Sequence, residues 1–326
     1  MISGIPWGAR ESTPVERVSD IAIPRDYDAV LAEAGSSRFY KRGYVHNGNT
    51  PSNYKTTGGI NMLRVLVNGA DGRMGSQVVK AVFEDPELTV AGGVSITHVG
   101  EDVGEVAGVG HLGLAIEGDF AKALEDIKPD VVVDFTTPAV IFKNAKTCIA
   151  HGVNMVVGTT GLTAEQRHEL HALALEKKTS IFIAPNFSIG AVLMMKLSTE
   201  VAPYLPDVEI IELHHNNKLD APSGTAIMTA DKIDEARKAA GAQPAPDKTH
   251  ESLDGARGAS VAGIPIHSVR LPGYVAHQQV LFGGYGELLT IRHDSIDRKS
   301  FMPGVILAVK KVSSRPGLVF GLENYL

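Results

Sequence analysis

Several features that would narrow the class of this protein are scarce or missing from its sequence. It contains one cysteine, Cys148, in 326 residues, which excludes an intramolecular disulfide framework and a metal site built from several thiolates. No run approaches the roughly 18 uninterrupted apolar residues of a membrane-spanning helix. Positive charge is not in excess, since the formal net charge is −6. Nucleic acid and anionic membranes are therefore poor candidates for the main partner.

The first 61 residues lack the pattern of a targeting segment and that of a packed domain. Residues 1–20 include several acidic side chains and have no positively charged start followed by an apolar block. We therefore expect no secretory signal or transit peptide, and a cytoplasmic location. Residues 47–59 have turn and linker composition,. We expect residues 1–61 to be an N-terminal extension, an arm or leader without chemistry, with Met62 as the natural start of the protein.

From Met62 onward, short apolar strands alternate with amphipathic helices. The pattern predicts strands at 62–69, 87–95, 130–135, 153–160 and from 180, separated by helices at 76–85, 120–127, 139–151 and 163–178. Strands that alternate with helices of about 10–15 residues are typical of a doubly wound parallel sheet. We therefore predict an α/β, Rossmann-like domain over residues 62–187.

A different rhythm begins after residue 187. The sequence predicts helices at 189–202 and 225–240, strands at 208–215, 264–270, 275–282 and 287–293, and a last helix at 300–312. This order indicates a second α+β domain with an open mixed sheet over 188–295, while 296–326 returns to the first domain. A late polar cluster, which we interpret as a solvated or interdomain face, consists of Glu287, His293, Asp294 and Arg298.

A glycine-rich segment, Gly69-Ala-Asp-Gly72-Arg-Met-Gly75, follows the first strand and opens a helix. In such a loop the first glycine permits the tight turn and the second lets the backbone approach a pyrophosphate. The free N–H groups of the helix start then favour the phosphate charge. The placement predicts a dinucleotide site at residues 69–75, against the alternative of a plain strand-to-helix turn.

The choice between NADH and NADPH stays open. An acidic residue after the second strand binds the ribose 2′-hydroxyl of NAD in this fold, but residues 93–98 contain no acid. Ser95 stands in that region, where it could equally be an ordinary loop residue. Arg73 and His98 are possible partners for a 2′-phosphate.

Three further segments follow predicted parallel strands: residues 134–138, 158–161 and 184–188. The carboxyl ends of such strands face the ligand crevice of an open α/β sheet. Each segment alone could be a structural turn, but three on one edge favour a cofactor cleft.

The densest chemistry lies at residues 209–226. His214 and Lys218 are proton-transfer groups, and Ser223-Gly224-Thr225 precedes a helix whose free N–H groups can bind a carboxylate,. Together they indicate a pocket for a small carboxylate. The alternatives are a helix cap with surface histidines, or a zinc site, which we do not expect because no cysteine is near. We predict no metal site.

These motifs resemble those of dihydrodipicolinate reductase, also called 4-hydroxy-tetrahydrodipicolinate reductase, of bacterial lysine biosynthesis. The similarity extends from about residue 63 to the C-terminus. Its most specific part is HHNNKLDAPSGTA, supported in the same order by VNGADGRMG, DFTTP, VVGTTG, APNFSIG and GELLTIRHDSIDR.

The resemblance implies reduction of 4-hydroxy-tetrahydrodipicolinate, or its dehydrated form, by hydride transfer from NADPH or NADH. His214 would be the general acid/base and Lys218 the proton donor, while His215, Gly224 and Thr225 would hold the substrate carboxylates. The cofactor would be lined by Gly69, Ala70, Asp71, Gly72, Arg73, Met74, Gly158, Thr159, Thr160, Ala184, Pro185, Asn186 and Phe187.

The resemblance also implies that residues 188–295 bind the substrate and assemble a homotetramer through their sheet. The sequence departs from the family pattern at two places. Ser95 stands where the family usually has an acid, and 61 residues precede Met62.

Without the resemblance, the residues leave two other functions open. Another two-domain NAD(P)-dependent reductase of a small carboxylate is one, although an aspartate-semialdehyde dehydrogenase would need a catalytic cysteine that residues 188–295 lack. A non-catalytic nucleotide-sensing protein is the other. It would keep residues 69–75 but would not need His214, Lys218 and Thr225 together.

Overall fold

Two β-sheets with helices packed on them make up residues 62–326, the part of the chain that the computed structural model describes. The arm or leader expected at residues 1–61 lies outside the described residues. The strands are β1 (Leu63–Asn68), β2 (Leu88–Val94), β3 (Ile116–Glu117), β4 (Val131–Asp134), β5 (Asn154–Val157), β6 (Ser180–Ile183), β7 (Asp207–His214), β8 (Ala259–Val261), β9 (Ile264–Arg270), β10 (Ala276–Gly284), β11 (Glu287–Ser295) and β12 (Gly317–Phe320). The helices are α1 (Gly75–Glu84), α2 (Val103–Ala107), α3 (Phe120–Ile127), α4 (Ile141–Ala150), α5 (Ala164–Lys177), α6 (Ile189–Val201), α7 (Gly224–Ala240) and α8 (Met302–Lys311).

The first sheet is parallel throughout and has seven strands in the order β12-β6-β5-β4-β1-β2-β3. The predicted Rossmann-like, doubly wound sheet is therefore confirmed. The chain moves outward from β1 to β2 and β3 and then returns to place β4 on the other side of β1. This reversal is the topological switch point, and in open α/β sheets the ligand crevice lies at the carboxyl ends of the strands there.

Helices cover both faces of this sheet because each presents an apolar stripe to it. On one face α1 buries Val78, Val79 and Val82, and α8 packs beside it in the same core. On the other face α3, α4 and α5 bury a second core around Leu124 and Leu170. Within residues 62–326, no helix is both long and apolar enough to cross a membrane.

The second sheet has five strands in the order β11-β10-β7-β9-β8 and is mixed, since β7 and β9 are parallel and the other pairs are antiparallel. Its alternating buried residues, such as Ile210 on β7 and Val280 on β10, share one core with Met194 of α6 and Ile233 of α7. The open mixed sheet expected of the second domain is thereby confirmed.

Short elements account for most differences from the sequence prediction. The strands β3 and β8 and the helix α2 contain two, three and five residues, too few to show a hydrophobic period. The edge strand β12 pairs with β6. The helix predicted at 300–312 begins as a 3-10 turn over Arg298–Phe301 and continues as α8.

Candidate active site

The glycine loop lies at the switch point, directly after β1. Gly69 adopts a φ of +80°, which favours glycine, and its N–H donates to the carbonyl oxygen of Val94 at the end of β2, at 2.8 Å,. A Cβ on Gly75 would lie 1.8 Å from the carbonyl oxygen of Gly69. Only glycine therefore lets α1 begin this close to the turn.

The start of α1 fits the pyrophosphate of a dinucleotide. No side chain caps it, and its first turn contains no acidic residue. The first N–H groups of a helix have no partner within the helix, and its positive dipole end favours anions. Gly72, Arg73 and Met74, which are predicted to bind the cofactor, lead into this helix start.

Asp71 in the same loop is held by two hydroxyl groups that follow β2. The Oγ of Ser95 donates to Asp71 Oδ1 at 2.6 Å, and Thr97 Oγ1 donates to Asp71 Oδ2. Partial burial raises the pKa of Asp71, but these hydrogen bonds outweigh it and place the pKa below its ordinary value. The carboxylate is therefore ionised at neutral pH.

A buried carboxylate organises the neighbouring strand ends. Asp134, which is fully buried at the end of β4, accepts hydrogen bonds from Asn68 Nδ2 at 2.8 Å and from Thr136 Oγ1 at 2.7 Å. Thr159 Oγ1 also donates to Asp134, at 2.8 Å, and accepts from the Thr136 N–H at 2.7 Å. The Thr159 hydroxyl thus supports the shape of the loop, while Thr160 beside it is exposed.

Phe135 belongs to the segment 134–138, which the sequence predicts at the cofactor cleft, and it lies close to the three other predicted cofactor segments. A Cβ on Gly69 would lie 2.5 Å from its carbonyl oxygen, and a Cβ on Gly158 would lie 2.1 Å from its ring. The ring centroid is 5.9 Å from that of Phe187. Small residues around this half-buried ring therefore let these loops pack together at one edge.

The loop after β6 connects the two sheets. Ala184 and Phe187 are buried, and Pro185 and Asn186 lie between them in the chain. Asn186 Nδ2 donates to Thr225 Oγ1 at the start of α7, at 3.2 Å, and Asn186 Oδ1 accepts from the N–H of Ser188 at 2.8 Å. A predicted cofactor residue thus contacts a predicted substrate residue.

At the second sheet, charged side chains converge on Glu212, a fully buried residue of β7. Arg270 of β9 donates to both of its oxygens, at 2.7 Å and 2.8 Å. The N–H of Ser223 donates to Oε1 at 3.2 Å, and His214 Nδ1 lies 2.5 Å from Oε2. Burial raises the pKa of Glu212, but hydrogen bonds from His214 and Arg270 prevail and lower it from 4.5 to about 2.

This charge determines the tautomer of His214. An ionised carboxylate only accepts hydrogen bonds, so His214 Nδ1 carries the proton and donates it to Glu212. Nε2 is then the nitrogen that can exchange a proton with a bound molecule. Neither Glu212 nor Arg270 is predicted as a site residue from the sequence, although Glu212 alternates with the buried residues Val208 and Ile210 of the same strand.

Lys218 and His215 lie on the loop between β7 and α7. Lys218 Nζ donates to Asp220 Oδ1 at 2.7 Å, and this bond lowers the pKa of Asp220. The Lys218 side chain is 21% exposed, so the ammonium is sheltered and still reachable. The buried Nδ1 of His215 has no hydrogen-bond partner among residues 62–326.

Ser223 caps the start of α7, where its side chain accepts from the N–H of Ala226 at 3.2 Å. The helix begins at Gly224 and continues with Thr225, whose own N–H groups come too early in the helix for an intrahelical partner,. The sequence predicts that a carboxylate binds at this helix start, and that stays a prediction.

One cavity brings several of these groups together. Its lining includes Asn186, His214 and Thr225, together with Ser188, Ser223, His277, Gln278 and His293. His215, Lys218 and Gly224 belong to the same loop and helix start but do not line this cavity.

Two histidines of the second sheet, His277 and His293, line the same cavity. Of the late polar cluster, Glu287, Asp294 and Arg298 are exposed, as expected of a solvated face, whereas His293 is half-buried. Burial lowers the pKa of His293, whose Nε2 lies 3.1 Å from Ser188 Oγ. His277 Nδ1 lies 2.6 Å from Asp294 Oδ1. Both contacts join residues far apart in sequence. Within residues 62–326, no group of three or more histidine, cysteine, aspartate or glutamate side chains could hold a metal ion.

Comparison with known proteins identifies the family to which this chain is similar. Family models described as "Dihydrodipicolinate reductase, N-terminus" and "Dihydrodipicolinate reductase, C-terminus" match residues 63–187 and 190–326. A 4-hydroxy-tetrahydrodipicolinate reductase from Listeria monocytogenes serotype 4b is 51% identical over 264 residues, covering 81% of this chain and 100% of the relative. One from Syntrophomonas wolfei is 49% identical over 263 residues, covering 81% and 98%. A solved structure of a dipicolinate-bound dihydrodipicolinate reductase from Paenisporosarcina sp. TG-14 is 44% identical, with a TM-score of 0.72, and covers 81% of this chain and all of that one.

Proposed function

The chain belongs to the dihydrodipicolinate reductase family, and from that premise we propose how its residues carry out the family's reaction. The reaction is the reduction of 4-hydroxy-tetrahydrodipicolinate, or its dehydrated form, to tetrahydrodipicolinate by NAD(P)H, in the diaminopimelate route to lysine. Neither of the two other functions that the residues left open, a different reductase or a nucleotide sensor, agrees with this membership.

The observation that carries the proposal is the contact between Asn186 and Thr225. Asn186 lies in the loop after β6, at the sheet edge that would bind the nucleotide, and Thr225 lies in the first turn of α7, whose start would bind a carboxylate. Both line one cavity with His214. Hydride transfer needs the two reacting carbons within about 3–3.5 Å, and this shared cavity supplies such a meeting point.

The strand edge of the first sheet holds the nucleotide in this proposal. When bound, the reduced nicotinamide supplies the hydride. The backbone of Gly69, Ala70, Asp71, Gly72, Arg73 and Met74 faces the pyrophosphate, while Gly158, Thr159, Thr160, Ala184, Pro185, Asn186 and Phe187 form the wall toward the second sheet. A Cβ at Gly158 would clash with the ring of Phe135, so at this position the wall consists of backbone atoms.

The loop after β7 holds the substrate and provides the proton. Reduction adds a hydride and a proton across the conjugated C=C–C=N system of the cyclic imine. Lys218 donates the proton, and His214 exchanges a proton through its Nε2. The Nδ1–H of His214 stays hydrogen-bonded to Glu212. His215 and the helix start at Gly224 and Thr225 bind the two carboxylates.

Glu212 acts as a positioning residue. Its charge keeps one His214 tautomer and fixes Arg270, whose Nη2 also donates to the carbonyl oxygen of Asp220 at 2.8 Å. That bond secures the loop that carries Lys218. A buried carboxylate with four donors thus aligns both proton-transfer groups.

We further propose that residues 62–187 with 296–326 form the nucleotide domain, and that 188–295 form the substrate and assembly domain. Closure of the two domains would bend the chain near Phe187 and Ser295.

A homotetramer is supported by the edge strand β11, where Leu288 is 85% exposed,. Size-exclusion chromatography with light scattering tests the subunit number. The single buried thiol, Cys148, is compatible with a cytoplasmic location.

The direct test of the reaction is the decay of NADH or NADPH absorbance with the condensation product of pyruvate and aspartate semialdehyde. We expect turnover that depends on this substrate. Absence of turnover with both nucleotides would refute the assignment. Deleting residues 1–61 is expected to leave the rate unchanged, and a loss of folding would refute the arm or leader prediction.

A further inference from the structure

Asp71 brings a carboxylate to the end of β2, where the chain itself has the neutral residue Ser95 and no acid. In this fold, a carboxylate after the second strand, about 20 residues beyond the glycine loop, accepts a hydrogen bond from the ribose 2′-hydroxyl of NAD. Here β2 ends at Val94, and the next residue is Ser95, which is buried and neutral. The side chain that meets Ser95 is Asp71 from the glycine loop.

The backbone forces this meeting. The N–H groups of Gly69 and Ala70 both donate to the carbonyl oxygen of Val94, at 2.8 Å and 3.1 Å, which fastens the loop after β1 to the end of β2. Ser95 and Thr97 then each donate a hydroxyl hydrogen to one oxygen of Asp71. The carboxylate is therefore fixed at the end of β2, although it belongs to a residue after β1.

We propose that Asp71 decides the nucleotide preference, by accepting a hydrogen bond from the ribose 2′-hydroxyl of NADH and repelling the 2′-phosphate of NADPH. An ionised carboxylate offers about four lone-pair positions, and the two hydroxyls use only two of them. The inference rests on the proposed function, because it requires the nucleotide to lie along the glycine loop.

The surrounding charges agree with a preference for NADH. His98 follows Thr97 in the loop after β2, and its Nδ1 lies 3.1 Å from Glu101 Oε1. A 2′-phosphate placed beside His98 would therefore meet the carboxylates of Asp71 and Glu101 as well. Arg73 in the loop is exposed, so solvent screens its attraction,.

Binding of the two nucleotides to the full chain, without substrate, tests the inference independently of catalysis. Titration calorimetry is expected to give a dissociation constant for NADH at least about tenfold below that for NADPH at low salt. Asp71→Asn should tighten NADPH binding by about tenfold by removing the like charge, and weaken NADH binding a few-fold. Asp71→Ser should change the ratio in the same direction and guards against a misfolded first variant.

The matched control is Glu105→Gln. Glu105 lies on α2, is 62% exposed and contacts His111, so its loss removes an equal charge from the same domain without touching Ser95. We expect the NADH-to-NADPH ratio to change less than about twofold in this variant. A similar change in both variants would overturn the inference, since a general charge effect would then explain it.

The outcomes separate this inference from the proposed function. Equal or tighter binding of NADPH by the wild-type chain, or an unchanged ratio in both Asp71 variants, overturns the role of Asp71 while turnover still supports the reductase. Selective NADH binding that both variants abolish, without turnover of 4-hydroxy-tetrahydrodipicolinate, supports Asp71 and refutes the reaction. Binding of neither nucleotide refutes both.

Discussion

The two edges that meet at Asn186 and Thr225 are built in different ways. At the nucleotide edge the surface is mainly backbone: glycines permit close approach, and a buried carboxylate such as Asp134 bonds to the loops themselves. At the substrate edge, by contrast, the side chains of Arg270 and His214 form hydrogen bonds with the buried carboxylate of Glu212. Substitutions at the nucleotide edge should therefore act mainly through steric clashes, and substitutions at the substrate edge mainly through the loss of charge interactions.

The largest effect is expected at the substrate edge, from Lys218→Ala. Removing a proton donor typically costs 100- to 10,000-fold in rate, so kcat should fall by that factor while the dissociation constant for the nucleotide stays unchanged. Steady-state kinetics and nucleotide titration measure the two quantities separately.

Lys196→Ala provides the control for loss of one ammonium group, since Lys196 is exposed on α6. Its kcat should remain within twofold of wild type, roughly the range of a surface substitution. An unchanged kcat in Lys218→Ala would remove Lys218 from the mechanism. Equal losses of rate and nucleotide affinity would contradict the separation of the two edges.

Glu212→Gln should cause the largest loss of stability. It leaves Arg270 and His214 without their shared counter-charge in a buried site, which costs about 3–5 kcal/mol of the free energy of unfolding. Urea titration measures this. Glu209→Gln is the matched control on the same strand, because Glu209 is 34% exposed where it pairs with His267, so its loss should cost no more than about 1 kcal/mol,. Equal losses in both variants would show that burial of Glu212 is unimportant.

Acid should reproduce the loss of the Glu212 charge. Its pKa is lowered from 4.5 to about 2, so the stability it contributes is fully present above about pH 4.5 and is lost as the pH falls toward 2,. The contribution amounts to about 3 kcal/mol. The difference in unfolding free energy between wild type and Glu212→Gln should therefore shrink over this window. A constant difference from pH 6 to pH 2.5 would contradict the assigned charge.

At the nucleotide edge, Gly75→Ala tests the limit on space. Its Cβ would lie 1.8 Å from the Gly69 carbonyl oxygen, so the turn must shift. We expect about 2–3 kcal/mol of destabilisation, as for overpacking, and weaker nucleotide binding. Gly224→Ala, whose Cβ meets nothing within 4 Å, should leave the melting temperature unchanged. Equal melting temperatures for the two variants would contradict the prediction.

The smallest effect concerns the contact between the edges. Thr225→Val keeps the shape of the side chain but removes the acceptor of Asn186 Nδ2, a loss of about 1 kcal/mol or roughly fivefold in kcat/KM,. Thr199→Val is a suitable control, because the Thr199 hydroxyl donates to the carbonyl oxygen of Met195 in its own helix. A larger effect in the control would show that the contact contributes nothing.

The parallel sheet could be predicted from the sequence because its signal is local. Each buried strand is bounded by a polar turn, and the glycine loop lies directly between β1 and α1. The reversal of strand order beside β1 follows from no local pattern, and neither does the pairing of β12, which is four residues long, with β6. Both depend on packing between distant parts of the chain.

The same limit applies to the site. His214, Lys218 and Thr225 lie within twelve residues of one another, from the end of β7 to the start of α7, so their spacing alone predicts that they belong to one site. Glu212 was visible only as a glutamate at a buried position of an alternating strand. Its partner Arg270 lies 58 residues away, and Asp71 lies 24 residues from Ser95, so a single sequence does not show either pair.

A crystal structure of the full chain with NADH and dipicolinate together would show whether the two molecules meet beside Asn186 and Thr225. We predict that dipicolinate lies between Lys218 and the amides of Gly224 and Thr225. Its ring should lie within about 3.5 Å of the nicotinamide carbon that carries the hydride, beside Asn186. Dipicolinate at another surface, or a ternary complex in which the two rings stay well apart in a closed form, would contradict the account.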